Sequence, residues 1–229
     1  MIDFHTHILP CMDDGSQSIS ESLSMLRAEA RQGIEGVVLT PHFYAHENSP
    51  AVFLKRRDHL YRQLKPYLGP DLPEIILGAE VQYFEGICTV EDVKELRIEG
   101  TDYLLLEMPF SHWPNHIIED VITLNDRRDT TVVLAHIERY IAMQEKETFR
   151  HLRNCGVLMQ SNVSFFSNWK TQHKAMSMLA RREISFLGSD CHNMKLRQPN
   201  WDQLPEKAWM LAQKSAAYYE FRAAFQEAQ

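Results

Sequence analysis

Histidines and carboxylates recur in this sequence where apolar runs give out. His5-Thr6-His7 closes a run that begins at Ile2, and Asp13-Asp14 follow shortly after. Thr40-Pro41-His42 closes a second run, and Gly78-Ala79-Glu80 lies in a third. Leu106-Glu107-Met108-Pro109, Ala135-His136-Ile137-Glu138-Arg139 and Ser189-Asp190-Cys191-His192 end three more. Alone, each of these residues reads as a structural histidine or an ion-paired acid. Together, five of the 11 histidines (His5, His7, His42, His136, His192) and four carboxylates (Asp14, Glu80, Glu107, Asp190) hold equivalent places on six segments, where chance would scatter them. Burying four carboxylates together requires positive charge among them. The pattern therefore points to a site for divalent metal. Cys11 and Cys191, beside two of the motifs, read as packing residues rather than ligands.

Nine donors exceed what one tetrahedral or octahedral ion can use. Three ions, with one carboxylate bridging, would absorb all nine and leave positions for water. Imidazole and carboxylate without thiolate favour Mn, Fe or Zn over Mg or Ca. Three divalent ions outweigh four carboxylates, so the site would be net positive. It would attract a phosphate dianion and lower the pKa of bound water from near 16 towards about 7. Such a centre suits attack of a metal-bound hydroxide on phosphorus. Arg139 closes the fifth motif and Arg197 follows the last, and guanidinium groups bind phosphoryl oxygens as a planar fork.

The elements that would position these residues alternate strictly. Strands are predicted over 2–8, 36–42, 74–84, 103–109, 131–138, 157–163 and 185–191. Helices are predicted near 18–32, 51–67, 90–97, 116–128, 145–154, 170–183 and 203–226. The first helix is the best marked: Ser18 and Glu21 suit a capping box, Ile19, Leu23, Leu26 and Ala30 make an apolar stripe, and Gly33 suits the stop. Alternation argues for a parallel sheet. Continuous apolar runs such as Val37-Val38-Leu39 fit strands covered on both faces. About seven repeats suggest a distorted (β/α)7 TIM-like barrel, with an open doubly wound sheet as the alternative. In a parallel barrel the ligand-bearing C-terminal ends converge on one face. With no linker or low-complexity tract, residues 1–229 read as one domain.

Composition narrows the functions. The 229 residues carry 24 basic and 31 acidic side chains, a formal charge of −7. That is a poor footprint for nucleic-acid binding, which needs a basic face. The four cysteines form no Cys-x-x-Cys pair, which suits a reducing cytoplasm better than a disulfide framework. No signal-peptide pattern opens the chain, and no apolar run approaches the ~20 residues needed to span a bilayer. The expectation is a cytoplasmic protein without membrane insertion.

In order along the chain, these motifs resemble those of the polymerase and histidinol phosphatase (PHP) superfamily. Within it the chain most resembles the bacterial manganese-dependent protein-tyrosine phosphatases of capsular and exopolysaccharide operons. The resemblance runs from residue 1 to about 199 and rests on Met1-Ile-Asp-Phe-His-Thr-His-Ile, Asp13-Asp14-Gly15, Glu21-Ser22, Thr40-Pro41-His42, Gly78-Ala79-Glu80, Ala135-His136-Ile137-Glu138-Arg139-Tyr140, and Ser189-Asp190-Cys191-His192-Asn193 with Arg197. It implies the PHP fold and a trinuclear, usually manganese, centre. His5, His7, Glu80 and Asp190 would hold one ion, Glu80, Glu107 and His136 a second, and Asp14, His42 and His192 a third. Arg139 and Arg197 match the phosphate-binding arginines. The implied substrate is phosphotyrosine on a cognate bacterial tyrosine kinase that governs polysaccharide export. After Asn200 the chain departs from the pattern, ending without the Asn-Pro turn of other members, and the loop Phe43-Tyr44-Ala45-His46 also differs. Two other functions fit less well: a small-molecule phosphatase such as histidinol-phosphate phosphatase, which the same ligands would serve, and a noncatalytic kinase-binding regulator. A phenolate, with a conjugate-acid pKa of about 10, leaves without a dedicated general acid, and the sequence offers no obvious one.

Overall fold

Among the described residues, nine short strands and eight helices account for the runs of alternating character. The computed structural model describes residues 1–127 and 129–227. The last position of the predicted 116–128 helix and the final two residues of the chain lie outside it. The strands are β1 (Ile2–Thr6), β2 (Gly36–Leu39), β3 (His42–Phe43), β4 (Glu74–Leu77), β5 (Glu80–Gln82), β6 (Tyr103–Glu107), β7 (Thr131–Leu134), β8 (Leu158–Asn162) and β9 (Phe186–Gly188). They pair in parallel in the orders β1-β2-β4 and β3-β5-β6-β7-β8-β9. A single parallel bridge, Thr6 to Cys191, ties β1 to the segment after β9. There the Asp190 N–H donates to His5 O, and the His7 N–H to Cys191 O, both at 2.9 Å. The result is an α/β fold whose parallel strands form a half-barrel wall, with buried residues on both faces of β1, β2 and β6.

Two predicted strands are each divided. Pro41 has no N–H to give a ladder, so 36–42 breaks into β2 and β3. Gly78-Ala79 similarly separates β4 from β5. Single bonds carry the pairing across the breaks: Gly78 N to Leu39 O at 2.8 Å and Glu80 N to Pro41 O at 3.0 Å. The other predicted strands end earlier than their apolar runs suggest. His7, His136, Asp190 and His192 therefore lie just past the strands, in the segments that follow. His136 (φ 32°) and Asp190 (φ 54°) turn through the left-handed region there, a conformation uncommon for a residue with a Cβ and characteristic of functional turns.

The helices are α1 (Ile19–Arg31), α2 (Pro50–Leu64), α3 (Asn115–Asn125), α4 (Lys146–Asn154), α5 (Ser164–Ser167), α6 (Gln172–Ala180), α7 (Glu206–Ala212) and α8 (Ala216–Glu227). α1 starts as the sequence indicates: Ser18 Oγ accepts from Glu21 N at 3.1 Å. The Glu21 carboxylate, however, accepts from Gln17 N at 3.0 Å rather than from the cap residue. The predicted helix over 90–97 is a 3-10 helix, Glu91–Leu96, and α5 has no counterpart in the sequence reading. The predicted 203–226 helix is two helices, divided near Ser215, whose hydroxyl accepts from Tyr218 N at 3.0 Å. No helix among the described residues is long and apolar enough to cross a membrane.

α8 plugs the end of the wall opposite the ligand-bearing ends. Phe221 packs edge-on against Phe4 (4.9 Å between centroids) in the middle of β1 and Phe186 (5.7 Å) at the start of β9. Gly36 opens β2, and a Cβ there would lie 2.4 Å from the Phe225 ring. Only glycine admits that ring so close. Tyr218 Oη accepts from Ile2 N at 3.2 Å. One continuous apolar core runs from Met1 to Phe225.

Candidate metal centre

The C-terminal ends of the strands bring all nine predicted ligand-type residues to one place. Glu80, at the head of β5, is the hub. Its Oε2 lies 3.2 Å from His5 Nε2, 3.2 Å from His7 Nε2 and 3.0 Å from His42 Nδ1, and its Oε1 lies 2.9 Å from His136 Nε2. Glu107, at the end of β6, approaches His136 Nε2 at 3.3 Å. Asp190 Oδ1 lies 3.7 Å from His5 Nε2 and 3.5 Å from His7 Nε2. Asp14 is the exposed member, its side chain 66% accessible, with Oδ1 3.4 Å from His192 Nε2 and 3.6 Å from His42 Nε2.

Three groups of donor atoms, each within 4.8 Å of one another, could hold an ion: His7, Asp14, His42 and His192; His5, His7 and Asp190; and His42, Glu80 and Glu107. This division overlaps the one implied by resemblance but differs at its seams. His7 and His42 each serve two groups, and His136 joins through its contacts to Glu80 and Glu107 rather than within a group.

The tautomers favour cation binding. Three imidazoles give their Nδ1–H to an oxygen that can only accept: His5 to Gln160 Oε1 at 3.2 Å, His7 to Asp13 Oδ2 at 2.7 Å, and His192 to Asp190 O at 3.0 Å. In their neutral forms each is left with the Nε2 lone pair facing the carboxylates, the arrangement typical of metal-ligating histidine. Glu80 Oε2, His42 Nδ1 and His192 Nε2 are buried atoms without a hydrogen-bond partner. Orphaned buried polar atoms are rare in native proteins and want a partner. A divalent ion supplies one, so the donor set fits a metal.

The protonation balance agrees. Burial alone would neutralise Glu80, but His5, His136 and His42 around it hold the carboxyl well below the usual range. Burial likewise opposes ionisation of Asp190, and the charges of His5 and His7 hold it low. Burial disfavours charged His7, yet the Asp13 carboxylate beside it raises the imidazole to about 10. For His136, Glu107 and Glu80 overcome burial and raise it to about 9. His192 goes the other way, pushed down to about 3 by burial and by the nearby His7 charge. The carboxylates thus demand positive charge, and protons on imidazoles meet that demand where metal ions can compete for the same nitrogens.

Both predicted arginines reach the centre. Arg139 Nη2 contacts Asp190 Oδ2, and Arg197 Nη2 contacts Asp190 Oδ1 at 2.7 Å. Arg139 is set by the tight turn after His136, pinned by the half-buried Glu138 carboxylate, which accepts from Ser161 Oγ at 3.0 Å.

Sequence reasoning missed the residues that hold the ligands. Asp13, passed over for Asp14, accepts from His7 Nδ1, from His42 N at 2.9 Å and from Gly15 N at 3.0 Å. Gly15 itself admits no side chain, since a Cβ would lie 2.1 Å from His7 O. On β8, Gln160 Oε1 accepts from both His5 Nδ1 and His136 N (2.6 Å), and Gln160 Nε2 donates to Asn162 Oδ1 at 3.0 Å. Asn162 Nδ2 in turn donates to Asp190 Oδ2 at 2.9 Å. The signal was legible: Gln160-Ser161-Asn162 puts three polar residues at the inner end of an otherwise apolar strand.

Residues 1–225 match the family model described as capsular polysaccharide synthesis, CpsB/CapC. The chain belongs to the CpsB/CapC family. That match extends past Asn200, so α7 and most of α8 lie within the family's span although the motifs end at Arg197. Among relatives, the chain is 32% identical over 207 residues to tyrosine-protein phosphatase YwqE of Bacillus subtilis, covering 86% of this chain and 79% of that one. It is 31% identical over 222 residues to tyrosine-protein phosphatase CpsB of Streptococcus pneumoniae, covering 89% and 87%. It also superposes, with a TM-score of 0.77 and 25% identity, on a crystal structure from work on YwqE and CpsB, described as unique metal-dependent tyrosine phosphatases. That superposition covers 100% of this chain and 94% of the other.

Proposed function

We propose that this CpsB/CapC chain is a metal-dependent phosphatase that hydrolyses phosphotyrosine on proteins. On this reading residues 1–229 form one domain, a cytoplasmic seven-stranded PHP-type barrel in which β2 with β3, and β4 with β5, each count as one interrupted strand. Its substrate is a cognate tyrosine kinase of polysaccharide synthesis. The observation that carries the reading is the clustering of eight other ligand-type side chains around Glu80, beside two guanidinium groups. The centre would hold three divalent ions, manganese by preference with Fe or Zn as alternatives, with Glu80 a ligand of two of the sites. His5, His7 and Asp190 would complete the first, Glu107 and His136 the second, and Asp14, His42 and His192 the third. When bound, the ions supply Lewis acidity towards phosphoryl oxygens and lower the pKa of coordinated water.

The protein's own groups do the rest. Asp13, Gln160 and the Asp190 carbonyl fix the tautomers of His7, His5 and His192, so these three imidazoles present Nε2 to a metal without reorienting. Arg139 and Arg197, held at the rim by Asp190, grip the equatorial phosphoryl oxygens and offset the charge that develops on them. The departing phenolate is a good enough leaving group to go without a dedicated proton donor.

Purified protein with saturating Mn is expected to hydrolyse a phosphotyrosine peptide well ahead of a phosphoserine peptide or histidinol phosphate. Crystals soaked in Mn should show three anomalous peaks per chain. A single isolated ion under saturating Mn sinks the trinuclear centre, and a preference for histidinol phosphate sinks the protein-phosphatase assignment. Arg139→Ala should cost about 2–4 kcal/mol in kcat/KM, the effect of losing a donor to developing charge. Arg139→Lys should recover only part of it, since an ammonium cannot form the bidentate fork. Mass-spectrometric metal content should match wild type in both variants. Loss of metal would mark Arg139 as a support for Asp190 instead.

A further inference from the structure

Two aromatic rings flank the centre, and the metal-ligand scheme uses neither. Phe110 follows Pro109 beyond β6 and is 53% exposed. Its ring lies nearly parallel to the imidazole of His136, at 6.0 Å and 19°, and 5.4 Å from Tyr140. Tyr44, half-buried beyond β3, lies nearly parallel to the imidazole of His42, at 5.3 Å and 20°. His136 and His42 approach opposite oxygens of the same carboxylate, Glu80 Oε1 and Oε2. The two rings thus lie against two different imidazoles of the cluster around the hub. An exposed phenylalanine contributes little to folding, because most of its apolar surface stays in water. Here the ring rests against His136 and the buried Tyr140 while about half of it stays exposed beside the cluster.

We infer that Phe110 and Tyr44 form an aryl slot that receives the ring of the substrate's phosphate ester and makes the centre selective for aryl over alkyl monoesters. The inference rests on the phosphatase reading for its substrate and adds the residues that read the leaving group. A phosphoryl group held by Arg139, Arg197 and the Glu80 centre carries its ester oxygen outward. A phenyl ring on that oxygen comes to lie beside Phe110 or Tyr44 in the offset or edge-on contact that aromatic pairs prefer. An alkyl chain in the same place is narrower and gains less. Selectivity is then a property of the rim and separable from catalysis. A nonhydrolysable pair of ligands can therefore test it without turnover.

The probe is the affinity of Mn-saturated protein for phenylphosphonate relative to methylphosphonate, measured by calorimetry. The wild type should bind the phenyl compound about tenfold more tightly, the size of one good aromatic contact with its buried area. Phe110→Ala should bring that ratio to within about threefold, and Phe110→Tyr, which keeps the ring, should restore it. Tyr44→Phe should keep the ratio and Tyr44→Ala should lower it. Equal affinities in the wild type, or a ratio that Phe110→Ala leaves unchanged, would overturn the slot even in an active phosphotyrosine phosphatase. A protein that keeps the phenyl preference but never hydrolyses phosphotyrosine would instead overturn the phosphatase reading and leave the slot standing.

Discussion

Replacing Asp190 by asparagine is expected to remove turnover almost completely while leaving a folded protein. Asparagine is the informative substitution because Asp190 sits at φ 54°, a region that asparagine tolerates and alanine does not. The side chain keeps its shape and loses its charge. Asp190 is the shared partner of Arg139, Arg197 and Asn162, and it lies beside His5 and His7. Neutralising it removes a proposed metal ligand and frees both guanidinium groups at once. The loss in kcat should therefore exceed the about 10²–10³-fold typical of deleting one stabilising donor. Mn content measured on the same sample should fall below wild type, and the circular dichroism spectrum should not change. Near-normal turnover with full metal content would exclude Asp190 from the ligand set.

Phe221→Ala should produce the largest change in stability. The side chain is 1% exposed and lies against Phe4, Tyr103 and Phe186. Those rings are themselves close, with Phe4 and Phe186 stacked at 4.1 Å, so the wall cannot collapse far into the cavity left behind. A cost of about 3–5 kcal/mol follows for phenylalanine to alanine at such a site. For a domain of this size that corresponds to a fall in Tm of about 10 °C. Thermal unfolding followed by circular dichroism reads it directly. A shift under about 2 °C would mean that α8 is only loosely docked.

The site was easier to read in the sequence than the fold that carries it. Ligand chemistry is local: an imidazole or carboxylate at the end of an apolar run keeps its meaning whatever the strand's length, and all nine such residues converge. The helix starting at Ile19 was equally legible because its capping and its apolar stripe are both short-range. Strand boundaries were not, because apolar content persists past the last ladder bond. Leu134-Ala135 and Leu187-Gly188 look alike in hydropathy, yet the turns at His136 and Asp190 depend on backbone angles that no residue type announces. Resemblance stopped near residue 199, since α7 and α8 contribute packing rather than motif, and packing leaves only phenylalanine, tyrosine and alanine at loose intervals. The supports of the ligands were missed for a related reason. Asp13, Gln160 and Asn162 act through hydrogen bonds to partners as far as 155 residues away, so the polar run at 160–162 marked the strand's inner end without showing which ligands it holds.

The bridge between Thr6 and Cys191, the bond from Ile2 to Tyr218 and the bonds of Asp3 to Ser189 and Trp201 all join the beginning of the chain to its end. During synthesis the strand that carries His5 is made well before its partner beyond β9 and the helix α8 that packs on it. A nascent chain shorter than about residue 192 lacks Asp190 and His192, and so has no complete centre to load. The proposed ligand set is thereby incomplete until residue 192 has been made. Because these closing contacts span almost the full sequence, they carry a large loop-closure entropy, and forming them should be among the slower steps of folding. On the proposed ligand scheme, a product truncated before residue 190 would lack two of the nine ligands, whatever the supply of metal.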